Sequence, residues 1–250
     1  MSNFSKKNIV LNEIESTNNY ANQLILSNAA DDGTVVLAQY QTKGRGNAGN
    51  QWESEYGKNL LMSMVLFPRF LDAAKQFMIS KAVSLAMVDF LKQETNFVTI
   101  KWPNDIYVED RKIAGILIEN SVMGHKLFST VIGIGLNLNQ EFFFSDAPNP
   151  VSLTQLTGKE YNINAVAERL VNLILEWYKK LETNNFTEIN ENYFSNLYRN
   201  EGWWKFSKQG EIFEARIIAI GEFGHLILED LNGKVHQFGF KEVEFIIGNS

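Results

Sequence analysis

The 250-residue sequence contains no cysteine. That absence excludes disulfides, a thiolate nucleophile and cysteine-ligated zinc together. Histidine is scarce as well. The three present, His125, His225 and His236, are scattered at no metal-ligand spacing. Basic residues are outnumbered, 23 Lys+Arg against 29 Asp+Glu, for a net charge of -6. The broad basic face needed for general nucleic-acid binding is therefore missing, and no DNA partner is expected. No apolar run approaches the roughly 20 residues that span a bilayer, and the opening MSNFSKKNIVLNEIES has no signal-like apolar core. A soluble cytoplasmic protein is expected, without a membrane partner. What is present fits that class: 45% apolar and 21% charged residues, an ordinary globular composition. The length suits one large domain, alone or with a small one.

Periodicity orders the chain. NIVLNEI (8–14) reads as a strand and STNNYANQLILSN (16–28) as a helix capped by Ser16 or Thr17. TVVLAQYQ (34–41) and NLLMSMVLF (59–67) read as strands, and 73–93 has the apolar spacing of a buried helix. Residues 97–121 read as two strands with Glu109 and Asp110 at the tip, and 127–139 as a third beside them. The stretch 142–160, with Pro148 and Pro150, reads as irregular. Helical spacing returns over 163–182, with a shorter helix over 187–199. After about residue 200 the pattern turns to short alternating strands, with an Asn-Gly hairpin in EDLNGK (229–234). Trp203, Trp204, Phe206 and Phe238 are expected in the core of a small barrel there. The fold class is α+β: a mixed sheet with flanking helices over 1–199, then an all-β unit over 200–250.

Four segments could carry chemistry. YQTKGRGNAGNQW (40–52) puts three glycines and two cations between a strand and a tryptophan. Backbone N–H groups in such a turn can face an anion, yet the segment is neither a P-loop nor a dinucleotide fingerprint, and a plain surface loop would read the same. KWPND (101–105) followed by RKIAG (111–115) sets Lys101, Asp105 and Lys112 on adjoining strands. Asp105 suits magnesium, which prefers carboxylate and phosphate oxygens. Gly115 permits close approach to the backbone. The same charges also fit a solvated hairpin. STN (16–18) is a helix cap or a polar contact, and GIGLNLN (133–139) is a buried strand from which Asn137 or Asn139 could face a site.

The order of these segments is more specific than any one of them. STN, then Gly-Arg-Gly with a trailing Trp, then KWPNDIYVEDRKIAGILIE, then Gly-x-Gly-x-Asn, then a small β unit: the series resembles the biotin protein ligases over nearly the whole chain. The resemblance implies a mixed sheet related to class II aminoacyl-tRNA synthetases and a C-terminal SH3-like β-barrel. It implies an ATP-dependent ligase that makes biotinyl-5′-AMP, releases pyrophosphate, and biotinylates one lysine of a biotin carboxyl carrier protein. It implies ATP and Mg2+ as cofactors beside the substrate biotin. Only 15 residues precede STN, so a form without a DNA-binding, repressing domain is expected, as a monomer or homodimer.

The resemblance also implies roles. Lys112 and Arg45 are the catalytic pair. Biotin falls to Ser16, Thr17, Asn18, Gln41, Gly44, Arg45, Gly46, Asn47, Lys112 and Gly115. ATP falls to Arg45, Trp52, Lys101, Trp102, Asn104, Lys112 and Asn137, and magnesium to Asp105. The Gly-Arg-Gly segment is expected to be mobile when empty and to close over the adenylate. A common form of the family reads Gly-Arg-Gly-Arg-Arg-Gly-Arg, whereas Asn47, Ala48 and Asn50 stand here in place of arginines. A leakier adenylate is expected from that loss of charge. A lipoate-type ligase and a non-catalytic biotin sensor are the alternatives.

Overall fold

The computed structural model describes residues 7–144 and 149–247. Residues 1–6 of the opening segment, and residues 145–148, Pro148 among them, lie outside that range. Seven strands form one mixed sheet: β1 (Asn8–Ile14), β2 (Val35–Gln41), β3 (Leu60–Leu66), β4 (Val98–Lys101), β5 (Asp105–Val108), β6 (Arg111–Met123) and β7 (Lys126–Leu136). Their order is β1-β2-β3-β7-β6-β5-β4, with only β1 and β2 parallel. The central strands β3 and β7 are mainly apolar because both faces are covered. Helix α1 (Thr17–Leu26) seals one face over Val36, Val65 and Val131. On the other face α2 (Phe77–Lys92), α4 (Ile163–Glu182) and α5 (Phe186–Ser195) pack on Val35, Leu60, Met62 and Ile132.

Two expectations change in detail. The stretch 97–121 is three strands rather than two, because a tight turn over 102–104 separates β4 from β5. The helix expected from residue 73 begins at Phe77; Asp72 is held by Lys126 and Ala73 donates to the His125 carbonyl, which leaves only a 3-10 turn before it. Within 142–160, Ser152 and Gln155 form a capping box on the short helix α3 (Leu153–Thr157).

The terminal unit is a five-stranded antiparallel sheet, β8 (Trp204–Lys208), β9 (Glu211–Ile220), β10 (Leu226–Asp230), β11 (Val235–Phe238) and β12 (Glu244–Phe245), in the order β11-β10-β9-β8-β12. The Asn-Gly hairpin forms as expected. Gly233 takes φ +75°, and the Asp230 side chain accepts from the Asn232 and Lys234 amides. Phe206 and Phe238 are buried, but Trp203 and Trp204 are exposed. Both indoles lie under arginines instead, Trp203 with Arg216 and Trp204 with Arg199. The core had no need of them, because Phe206, Phe213 and Phe245 already fill it.

This sheet is fastened to the first one. Trp102 Nε1 donates to the Gly224 carbonyl at 2.8 Å, and Phe240 meets the same indole edge-on at 5.5 Å. Gly224 sits at φ +88°, and an added Cβ would come within 2.4 Å of the Phe77 ring. Gly224→Ala is therefore expected to cost about 1–3 kcal/mol through overpacking and backbone strain. Urea titration against the parent chain measures the loss, and an unchanged midpoint would dissolve the proposed close contact.

Candidate active site

A cavity of about 210 Å³ opens on the α1 side of the large sheet, where β6 and β7 meet the start of α1 and the glycine segment. Its floor is bare backbone. At Gly135 an added Cβ would lie 2.3 Å from Trp52 Cε2, and at Gly115 it would lie 3.0 Å from Trp52 Cζ3. At Gly133 it would lie 2.3 Å from Asn18 Oδ1. Three glycines on two paired strands thus admit an indole and an amide to a place where side chains would stand.

One end of the cavity is polar and neutral. Ser16 caps α1, accepting from the Asn19 amide, and Ser16, Thr17 and Asn18 are all buried. Gln41 Oε1 receives the Thr17 amide at 2.7 Å and the Thr17 hydroxyl at 3.0 Å. Ser63 Oγ lies 2.8 Å from Thr17 Oγ1 and 2.6 Å from Asn18 Oδ1. Asn18 Nδ2 donates to Glu119 and to the Leu117 carbonyl. These buried polar groups satisfy one another, as they must, and they hold Gln41 in place beside the cavity.

The other end is charged. Lys112 Nζ lies 2.7 Å from Asp105 Oδ1, with about a fifth of each side chain exposed, and 5.8 Å from the Trp52 ring centre. Register explains the pair: Asp105 stands opposite Gly115 across β5 and β6, so no side chain separates it from Lys112. Asn104 Nδ2 donates to the Ile116 carbonyl at 2.8 Å and ties the turn to β6.

The glycine segment is a small hairpin. Arg45 pairs with Gln51, the Gly46 amide donates to the Asn50 carbonyl at 2.7 Å, the Trp52 amide donates to the Gly44 carbonyl, and a 3-10 turn spans Asn47–Gly49. Gly44 is required by the crossing, since a Cβ there would meet the Trp52 carbonyl at 2.6 Å. Arg45 bonds Asn19 at 2.8 Å and Glu119 at 2.9 Å. Its charge is thus engaged by a carboxylate that also holds Asn18.

Most of the residues singled out from sequence converge here: Ser16, Thr17, Asn18, Gln41, Arg45, Gly46, Asn47, Trp52, Asn104, Asp105, Lys112 and Gly115 all line the cavity. Four do not. Gly44 lies in the hairpin next to it. Lys101 reaches the Tyr107 hydroxyl at 3.3 Å and lies over the Tyr107 and Phe245 rings, where burial lowers its amine below the usual lysine range. Trp102 faces the terminal sheet. Asn137 is buried behind β6; its Nδ2 donates to the Val151 carbonyl, while its Oδ1 has no partner among the described residues. Sequence reasoning missed Ser63, Glu119, Phe240 and Lys241, and gave Gly133 and Gly135 of the Gly-x-Gly-x-Asn motif no part in the site. A lone serine inside LLMSMVL and a glutamate inside a β-strand were the available signals for the first two. Nothing local marks Phe240 and Lys241, which reach the cavity from the other sheet.

Among the described residues no cluster of three His, Cys, Asp or Glu could hold a metal by itself. Asp105 is the one carboxylate among the residues lining the cavity. Magnesium commonly takes one or two carboxylates plus substrate phosphates, so the donor set fits an ion brought in with a nucleotide. Among the described residues no helix is long and apolar enough to cross a membrane.

Residues 10–137, just over half of the chain, match the Biotin/lipoate A/B protein ligase family. The chain is 30% identical over 229 residues to the bifunctional ligase/repressor BirA of Bacillus spizizenii, covering 88% of this chain and 68% of that one. It is 31% identical over 187 residues to the biotin–[acetyl-CoA-carboxylase] ligase of Paracoccus denitrificans, covering 72% and 76%. The structure of the Aquifex aeolicus biotin protein ligase in complex with biotin and ATP superposes with a TM-score of 0.79 at 24% identity, over 96% of this chain and 98% of that one. The chain belongs to the biotin/lipoate A/B protein ligase family, it is a ligase, and its fold is that of the biotin protein ligases.

Proposed function

We propose that the chain activates biotin with ATP and transfers it to a lysine of a biotin carboxyl carrier protein in the cytoplasm, with residues 1–199 as the catalytic unit and 200–250 as a terminal domain that completes the site. The observation that carries this reading is the two-ended cavity: a neutral donor and acceptor set at one end and Lys112 at the other. Biotin has the matching shape, a ureido ring and a carboxylate joined by an apolar chain. The relative from Paracoccus denitrificans, a biotin–[acetyl-CoA-carboxylase] ligase, supports the same substrate and carrier.

In this reading Ser16, Thr17 and Gln41 face the ureido group. Gln41 Oε1 is taken by Thr17, so its amide nitrogen is the group left to donate. The chain of biotin lies along Trp52 and the glycine floor. One carboxylate oxygen attacks the α-phosphorus of ATP; the new O–P bond forms as the bond to pyrophosphate breaks. Two anions meet in this step, and Lys112 offsets the charge that gathers between them. Magnesium bound with the phosphates and Asp105 would neutralise charge on the leaving pyrophosphate. In the second step the neutral carrier amine attacks the acyl carbon. An amide forms, the bond to AMP breaks, and the nitrogen loses a proton.

The hairpin supplies cover. A mixed anhydride hydrolyses in water, so excluding water preserves it. Arg45 anchors the hairpin to Glu119 and Asn19, and this anchoring is its proposed role, alongside any contact with the adenylate. Arg45→Ala is expected to raise the release of free biotinyl-adenylate by about threefold to fivefold, the effect of losing roughly 0.6–1 kcal/mol of closure. Chromatography of carrier-free reactions measures it, beside the parent chain, whose Asn47 and Asn50 already suggest appreciable release. Equal release by both proteins would remove Arg45 from the closure.

Mass measurement of a carrier domain after incubation with the protein, biotin and Mg-ATP tests the whole reading; an unmodified carrier would overturn it. Lipoate is the second candidate because the family includes its ligases. A dithiolane has no polar edge for Thr17 and Gln41 to meet, and a buried polar group left unpaired costs about 1–3 kcal/mol. Competition of biotin against lipoate in pyrophosphate release separates the two. Pyrophosphate release itself separates an enzyme from a passive sensor.

A further inference from the structure

We propose that the groove between α2, α5 and β9 is a second binding site, for a monocarboxylate with an apolar body whose carboxylate is held by Lys81 and Tyr193. The groove encloses about 670 Å³ and lies apart from the cavity on β6 and β7, sharing none of its lining residues. That volume falls in the range of small-molecule sites. Its walls are apolar, from Met78 on α2, Phe186 and Phe194 on α5, and Ile218 and Ile220 on β9.

Lys81 is the unexplained residue. It is 6% exposed, yet among the described residues it forms no ion pair. Its amine donates to Asn190 Oδ1 at 2.7 Å and otherwise lies over the rings of Phe77 and Tyr193. An ammonium carries three donors, so the arrangement leaves two of them to be met. Burial pulls this amine down to about 8, which still leaves it largely cationic at neutral pH. A buried cation without a counter-anion destabilises a fold unless something supplies the charge.

Tyr193 adds a second, independent sign. It is 1% exposed, lines the same groove, and its hydroxyl has no partner among the described residues. The Lys81 amine, 5.5 Å from the centre of the Tyr193 ring, and the phenol line one groove; both are donors, and a carboxylate is the small group that accepts from both. Lys75 lines the groove too, over the Phe186 ring at 4.7 Å. The two acids that line it, Glu191 and Glu222, are exposed, so water screens them. Apolar walls favour a carboxylate on a hydrocarbon or aryl body over a phosphate. Because the walls come from both sheets' units, an occupant would bridge them.

Octanoate is the probe. Titration of the full chain by calorimetry is expected to give a dissociation constant on the order of 1 mM or tighter, with the same value in saturating biotin, because the two sites are separate. Lys81→Met is expected to weaken that binding by about tenfold or more, and Tyr193→Phe by about threefold. Without octanoate, Lys81→Met is expected to melt higher than the parent chain, since methionine fills similar space without a buried charge. No measurable heat with octanoate in the parent chain, equal binding by Lys81→Met, or a lower melting temperature for that variant would each overturn the proposal. None of these readouts uses adenylation, so such a failure leaves the ligase reading untouched.

Discussion

Lys112→Ala is expected to lower the rate of pyrophosphate release from biotin and Mg-ATP by about 100- to 1,000-fold, the range seen when a single group that stabilises transition-state charge is removed. The size follows from position. Lys112 is the lysine whose amine faces the charged end of the cavity from β6, 2.7 Å from Asp105 and beside the Trp52 ring. The variant also leaves Asp105 without its cation, which adds to the repulsion felt by the incoming carboxylate and phosphate. Biotin binding alone should suffer less, because in the proposed reading the ureido end meets Thr17 and Gln41, which stand on other elements. The measurement is therefore a pair: steady-state pyrophosphate release and biotin titration on the same preparation. Rates within about threefold of the parent chain, less than 1 kcal/mol, would remove Lys112 from the chemistry.

Gly135→Ala is expected to weaken biotin binding by about tenfold or more, the effect of an overpacking cost of about 1–3 kcal/mol falling on the indole that walls the site. The new methyl would sit 2.3 Å from Trp52 Cε2, and a ring atom cannot give way as the end of a flexible side chain can. The indole must then rise into a cavity of about 210 Å³. Trp52→Ala in the same chain removes the obstacle. The double variant should bind better than the sum of the two single losses allows, with a coupling of about 1–3 kcal/mol. Simple additivity would show that the methyl acts through something other than the indole.

Periodicity carried much of the fold. The helix over 163–182 and the strand over 8–14 appear with the bounds expected, the first because its apolar residues recur at helical spacing, the second because Ile9 and Leu11 alternate with outward-facing neighbours. The turn at 102–104 was harder to see, since KWPND begins and ends like a strand. Trp203 and Trp204 misled because apolar rings suggest burial, while arginines can shelter them at the surface. The site divides in the same way. Thr17, Gln41 and Lys112 stand in short motifs whose order is readable. Glu119 and Ser63 work through partners 101 and 45 residues away, and such pairings leave no local mark. Asn137 stands in a readable motif yet turns behind the sheet toward Val151.

The peptide floor made by Gly115, Gly133 and Gly135 has a consequence for how such a protein could change its diet. Mutation has little to work with where there are no side chains, and any addition there collides with Trp52 or Asn18. A shift to a differently shaped vitamin would have to be made from the walls, at the tip of α1, at Gln41 or in the hairpin. Variation should gather in those places and leave the two central strands almost untouched.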